Sequence, residues 1–201
     1  MELFKTKYRI ESARLKDWDY SDNAKYFITI CTAHKECHFG QIMDSEMELS
    51  DIGKIALEFL IHIHSHFDYV KTDCCIVMPN HVHAIVVLNH TSSFAENISV
   101  TACRDDDEDI FLYIPETLQR NTSTSGVNEY MRSISPKAGS LSTIIRSYKS
   151  AVTKHARNID PDFGWQARYH DHIIRNNDAY FTIRNYMLNN PKNWKEDKFY
   201  M

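Results

Sequence analysis

His81 and His83 stand two residues apart in the run Met78-Pro-Asn-His-Val-His-Ala-Ile-Val86. After the Pro79-Asn80 turn this run reads as a strand, where alternate side chains share a face, so both imidazoles leave the same side. Two neutral imidazole nitrogens placed together form part of a divalent-cation site that needs one more ligand from elsewhere. Tyr186 and Asn190 make a second pair, four residues apart, just before Pro191. In a helix such residues are neighbours on one face. A tyrosine hydroxyl there would lie beside a cation held by the Asn190 oxygen, and such a cation favours the ionised phenol, so Tyr186 is a candidate nucleophile. Each pair alone also fits an ordinary role: surface histidines on a half-buried strand, and a core tyrosine with an asparagine helix cap.

Other residues compete for these roles. Tyr148 lies beside Lys149 in a basic helical stretch, but the residue four on is Val152, which cannot coordinate anything. Tyr148 is therefore expected to pack or to stack on a base. His62, His64 and His66 close an earlier predicted helix, where residues two apart lie about 200° around the axis. A helix C-terminus favours histidine through its dipole in any case, so no metal is expected there. In Trp165-Gln-Ala-Arg-Tyr-His-Asp-His172, His170 and His172 would share a strand face. With Arg168 and Arg175 so close, that motif suits phosphate binding or core bracing as well as metal, and the role of His170, Asp171 and His172 stays open. No Gly-rich phosphate loop, Cys-x-x-Cys pair or Gly-x-Ser-x-Gly elbow occurs. This removes the usual nucleotide-hydrolase, zinc-ribbon and esterase readings.

The elements that must position these side chains follow from periodicity and turn residues. Lys25–Thr32 is dense in β-branched and aromatic residues and predicts a strand. Ser50 or Asp51 caps a helix running to about Ser65, and 68–78 and 81–88 predict two strands joined by the Pro-Asn turn. A helix over 139–156, capped by Ser140 or Ser142, a short strand over Gly164–His170 and a helix opened by Asn177 or Asp178 follow. The tight hairpin excludes a doubly wound parallel sheet. The order predicts an α+β fold, a ferredoxin-like antiparallel sheet with helices packed on its faces.

Composition sets the outer bounds. The 201 residues, 43% hydrophobic and 25% charged, suit a single domain of residues 1–201. Residues 90–138 are polar and acidic and predict a flexible insertion projecting away from the site. Apolar runs such as Ala84–Leu88 are far short of the ~20 residues that span a bilayer. The start Met-Glu-Leu-Phe-Lys does not resemble a signal peptide. Cys31, Cys37, Cys74, Cys75 and Cys103 lack paired metal spacing, and the adjacent Cys74 and Cys75 read as reduced buried thiols, which points to the cytoplasm. The net charge is −4, yet residues 139–201 carry ten basic groups against six acidic ones, enough to hold phosphate locally.

Three motifs in order, Met78–Val86, Trp165-Gln166 with Tyr169–Asn176, and Tyr186-Met-Leu-Asn-Asn-Pro191 followed by Trp194, resemble the REP-associated tyrosine transposases. These belong to the wider class of single-tyrosine HUH transposases, and the match runs from about Tyr26 to Trp194 around the insertion. The resemblance implies that His81, His83 and Asn190 bind Mg²⁺ or Mn²⁺ and that Tyr186 attacks a phosphate of single-stranded DNA. The products would be a 5′-phosphotyrosine and a free 3′-OH, with rejoining by the reverse step and no nucleotide cofactor. It further implies hairpin DNA as partner; Arg146, Lys149, Lys154, Arg168, Arg175 and Arg184 could supply phosphate contacts, and Tyr148 or Trp165 could stack on unpaired bases. A homodimer is compatible with the class and is not decided by the sequence. The alternative expectation is a catalytically silent binder of structured single-stranded DNA or RNA.

Overall fold

The computed structural model describes residues 3–4, 7–8, 15, 17–91, 101–102 and 136–200. Its centre is a sheet of four strands, β1 (Ala24–Cys31), β4 (Val70–Met78), β5 (His81–Leu88) and β6 (His170–Ile174). The spatial order is β4-β5-β1-β6 with each of these neighbours antiparallel, and the two residues Thr101–Ala102 add a parallel pairing outside β4. Between β1 and β4 lie a small hairpin, β2 (Gly40–Met43) and β3 (Glu46–Leu49), and the helix α1 (Asp51–Ile61). Helices α2 (Leu141–Ala156) and α3 (Asn177–Asn189) flank β6 in sequence. This is the expected α+β, ferredoxin-like arrangement.

Alternation decides what each sheet face buries. Tyr26, Ile28 and Ile30 of β1 and Val82, Ala84 and Val86 of β5 are fully buried on one face, under Ala56 and Leu60 of α1 and Ile144 and Val152 of α2. Each Val, Ile or Leu side chain among these contributes roughly 1.5–3 kcal/mol of hydrophobic stabilisation. Ser50 caps α1 as expected, its oxygen accepting from the Gly53 amide at 3.0 Å. Gly53 itself permits contact with β2's approach, since a Cβ there would lie 2.1 Å from the Phe39 carbonyl oxygen. A bulge between Thr72 and Cys74 shifts β4 against β5, and so Cys75 joins the helix-covered core while Cys74 joins the opposite one.

Several expectations change. The strand near Trp165 begins at His170 instead of ending there, because Trp165 packs with Phe39 and Phe163 and bonds the Lys149 carbonyl, leaving only a single bridge to Thr32. The stretch His62–Ser65 continues α1 as a tighter 3₁₀ turn. The final helix opens at Asn177 as expected, and the Asn176 side chain caps it, accepting from the Ala179 amide at 2.8 Å. Cys74 is disulfide-bonded, which corrects the reading of a reduced Cys74–Cys75 pair, while Cys75 is free and buried. Of the expected insertion at 90–138, residues 92–100 and 103–135 lie outside the described residues. Thr101–Ala102 pairs in parallel with Cys74–Cys75. Among the described residues no helix is long and apolar enough to cross a membrane.

Candidate metal and nucleophile site

The second sheet face carries Phe27 and Thr29 from β1 beside His83 and Ile85 from β5. Helix α3 covers it by burying Met187 against Ile76, Met78, Ile85 and Ile174. Because Met187 faces the sheet, the adjacent Tyr186 lies at the margin of the contact, 43% exposed. After Pro191 a 3₁₀ turn at Trp194–Glu196 buries Trp194 in the same cluster and brings Asp197 back over the histidines.

His81 and His83 are both buried, with their Nε2 atoms 3.0 Å apart. His81 Nδ1 donates to Asn80 Oδ1 at 2.9 Å, which fixes the tautomer and leaves the Nε2 lone pair for a ligand. His83 Nδ1 is 2.9 Å from the Thr29 hydroxyl. Two ring nitrogens this close share either one proton or one cation. Burial, with smaller contributions from Lys198 and Lys35, lowers His81 to about 3. Burial followed by the charge of His81 lowers His83 as well. Both rings are therefore neutral near pH 7, the form that metal binding requires.

Tyr186 reaches this pair within the same chain, its hydroxyl 3.4 Å from His83 Nε2. The hydroxyl donates to Asp197 Oδ2 at 3.2 Å. Burial first, and then the Asp197 charge, raise the phenol to about 12, so it is protonated at rest. Asn190 is 2% exposed, and its Nδ2 donates to the same Asp197 oxygen at 3.1 Å. Asn190 Oδ1 is buried without a hydrogen-bond partner. An orphaned buried oxygen is costly unless something unseen satisfies it, and a cation would do so.

Asp197 is the residue that sequence spacing missed. Among the described residues, His81, His83 and Asp197 form one group whose ligand atoms lie within 4.8 Å of one another. Asp197 sits seven residues beyond Asn190 and past a helix-stopping proline, so no helical or strand period links the two. The available signal was an acid three residues after Trp194, the last residue of the third motif.

The sequence-derived DNA contacts fall in different places. Tyr148 is 3% exposed and its hydroxyl donates to the Ala56 carbonyl at 2.9 Å, so it joins α2 to α1 and offers no face to a base. Arg146 and Lys154 are exposed on α2, across the sheet from the histidines. Lys149 braces the chain before β6, donating to the carbonyls of Gln166 and Arg168 at 2.7 and 3.2 Å. Arg168 and Arg175 are exposed at either end of β6, and Arg184 is half-buried on α3. The register pairs His170 with Thr29 and His172 with Phe27, which puts both exposed rings on the face of the catalytic candidates. His62 and His64 direct their Nδ1 atoms to the carbonyls of Glu58 and Ile61, and close the helix as expected.

Comparison with known proteins adds the following. No family model matches the chain. The fold resembles that of a REP-associated tyrosine transposase solved bound to a REP hairpin, with a TM-score of 0.51 and 17% identity over 94% of this chain and 77% of that one. An uncharacterized protein of Haemophilus influenzae is 31% identical over 191 residues, 94% of this chain and 92% of its own length. The two sequences correspond along almost their entire lengths, and the chain belongs to the family of that Haemophilus influenzae protein.

Proposed function

We propose that the protein is a transposase-type nickase that cuts and rejoins hairpin-forming single-stranded DNA through Tyr186. The observation that carries this reading is the meeting of the Tyr186 hydroxyl with His83 Nε2, at 3.4 Å, beside a cluster suited to a divalent cation.

The donor set fits such a cation. Neutral His81 and His83, the Asp197 carboxylate and the orphaned Asn190 oxygen would hold it, with Asp197 extending the three ligands expected from sequence. When bound, Mg²⁺ or Mn²⁺ would offset charge on the phosphoryl oxygens and favour the phenolate.

The chain's own groups account for the rest. Asn80 and Thr29 orient the two rings, and Asp197 holds the phenol at the edge of the cluster. In the cutting step the Tyr186 oxygen gives up its proton and bonds to phosphorus, and the bond from phosphorus to the 3′ oxygen breaks. The leaving oxygen gains a proton and departs as a 3′-OH, while the 5′-phosphate stays on Tyr186. The phosphodiester energy is kept in the phosphotyrosine, and so the reverse step rejoins strands without a nucleotide cofactor. One chain supplies every group in this scheme.

Incubation of a labelled hairpin oligonucleotide with the protein and Mn²⁺ tests the reading. A covalent adduct that Tyr186→Phe abolishes is the expected result. Binding without adduct would establish a silent nucleic-acid binder instead, and cleavage that survives Tyr186→Phe would establish a hydrolase using water.

A further inference from the structure

Beside the candidate nucleophile lies a cavity of about 450 Å³, a size typical of small-ligand sites. It is lined by Thr182, Asn185, Tyr186, Asn189, Asn193 and Glu196, together with the Asn190 and Asp197 already described. Every lining residue is polar, four are asparagines, and no lysine, arginine or histidine lines it among the described residues. Asn185, Asn189 and Asn193 recur at four-residue spacing, and the helical residues Asn185 and Asn189 share the exposed face of α3 that bears Tyr186.

This chemistry narrows the ligand. Outside the cation position assigned to Asp197 and Asn190, the lining offers the Glu196 carboxylate and no positive group, which disfavours a second phosphate there. The polar groups stand on a surface that is largely the carbon of the same side chains, which suits the faces of a flat ring. A planar neutral heterocycle with hydrogen-bonding edges satisfies both conditions. Asparagine pairs bidentately with the N6/N7 edge of adenine, and carboxylates accept from the N4 amine of cytosine. The Asn189 Nδ2 gives one hydrogen to the Asn185 carbonyl at 2.8 Å, which leaves its oxygen and its second amide hydrogen for a base edge. Asn190 Nδ2 likewise gives one hydrogen to Asp197. The Glu196 carboxylate can only accept, and the matching base is one that donates through an exocyclic amine.

We infer that this cavity reads the base of the nucleotide next to the cut phosphate, preferring adenine or cytosine to thymine. The inference rests on the proposed chemistry at Tyr186, whose hydroxyl fixes which phosphate the cavity adjoins.

The test maps the cut position on a hairpin oligonucleotide, then places adenine, cytosine, thymine or an abasic residue at each flank. Adduct formation is expected to be about tenfold faster with adenine or cytosine than with thymine or no base at one flank, the loss of one good base contact. In the double variant Asn185→Ala, Asn189→Ala the preference should fall below about twofold, with the rate on the abasic oligonucleotide unchanged. Adduct without any flank preference, or a preference that the double variant retains, overturns the subsite and leaves the chemistry standing. A second measurement is independent of cleavage: asparagine side-chain amide resonances followed by NMR during titration with an adenine-containing trinucleotide. Shifts at Asn185 and Asn189, absent with the abasic analogue, support the subsite even if no adduct ever forms; no shifts overturn it.

Discussion

Tyr186 and Asp197 are joined by a hydrogen bond of 3.2 Å from the phenol to Oδ2, the same oxygen that accepts from Asn190. One carboxylate thus ties the proposed nucleophile, the proposed ligand Asn190 and the candidate cation cluster together. Asp197→Ala should weaken Mn²⁺ binding in the presence of hairpin DNA on the order of 10- to 100-fold, measured by calorimetry, the loss seen when a support of a metal site is removed. Unchanged affinity would place the cation elsewhere.

Asn80 supports the site from behind. Its oxygen accepts from His81, and its amide nitrogen donates to the carbonyls of Lys35 and Phe199 at 3.1 and 2.8 Å. Asn80→Ala frees the His81 tautomer and strands two part-buried carbonyls. Chemical denaturation should show a loss of about 1–3 kcal/mol. Mn²⁺ affinity should fall together with it, whereas a stability loss alone would reduce Asn80 to a structural tie.

Cys75 makes the protein sensitive to alkali. Complete burial raises its thiol from 9.0 to about 12 in the folded chain. Between those values the unfolded chain has lost a proton that the folded chain keeps, so stability falls as pH rises through 9. The slope from this residue is about 1.4 kcal/mol per pH unit at most. Melting temperatures of the protein and of Cys75→Ala, compared from pH 8 to 11, should converge as the pH rises. Parallel curves would mean that the thiol does not titrate with unfolding.

Much of this architecture was legible because it rests on short-range signals. Ser50 before an apolar period announces α1, and Pro79-Asn80 between two β-branched runs announces the β4–β5 hairpin. The His-x-His spacing could be read as a shared face because strand alternation is strictly local. The β2–β3 hairpin escaped notice because its turn places Asp44 and Ser45 at positive φ, 49° and 68°, where the usual glycine or asparagine marker is missing. The burial of Tyr148 could not be read either. A tyrosine on a basic helix looks the same in sequence whether it meets solvent or the Ala56 carbonyl. Asp197 was hidden for a related reason, since only the packing of Trp194 brings it to the histidines.

Tyr148→Phe separates these readings of α2. It removes one buried hydrogen bond and should cost about 1 kcal/mol by denaturation. Hairpin retention in a gel-shift assay should stay unchanged. Weakened retention at equal stability would show that the hydroxyl contacts nucleic acid after all.

The Asn80 side chain touches segments that the ribosome makes far apart in time: Lys35 early, His81 midway and Phe199 late. A nascent chain that has released both imidazoles still lacks the carboxylate at 197 and the carbonyl at 199. The candidate cluster is consequently completed only in a single late event, and the proposed cutting step has to wait for it.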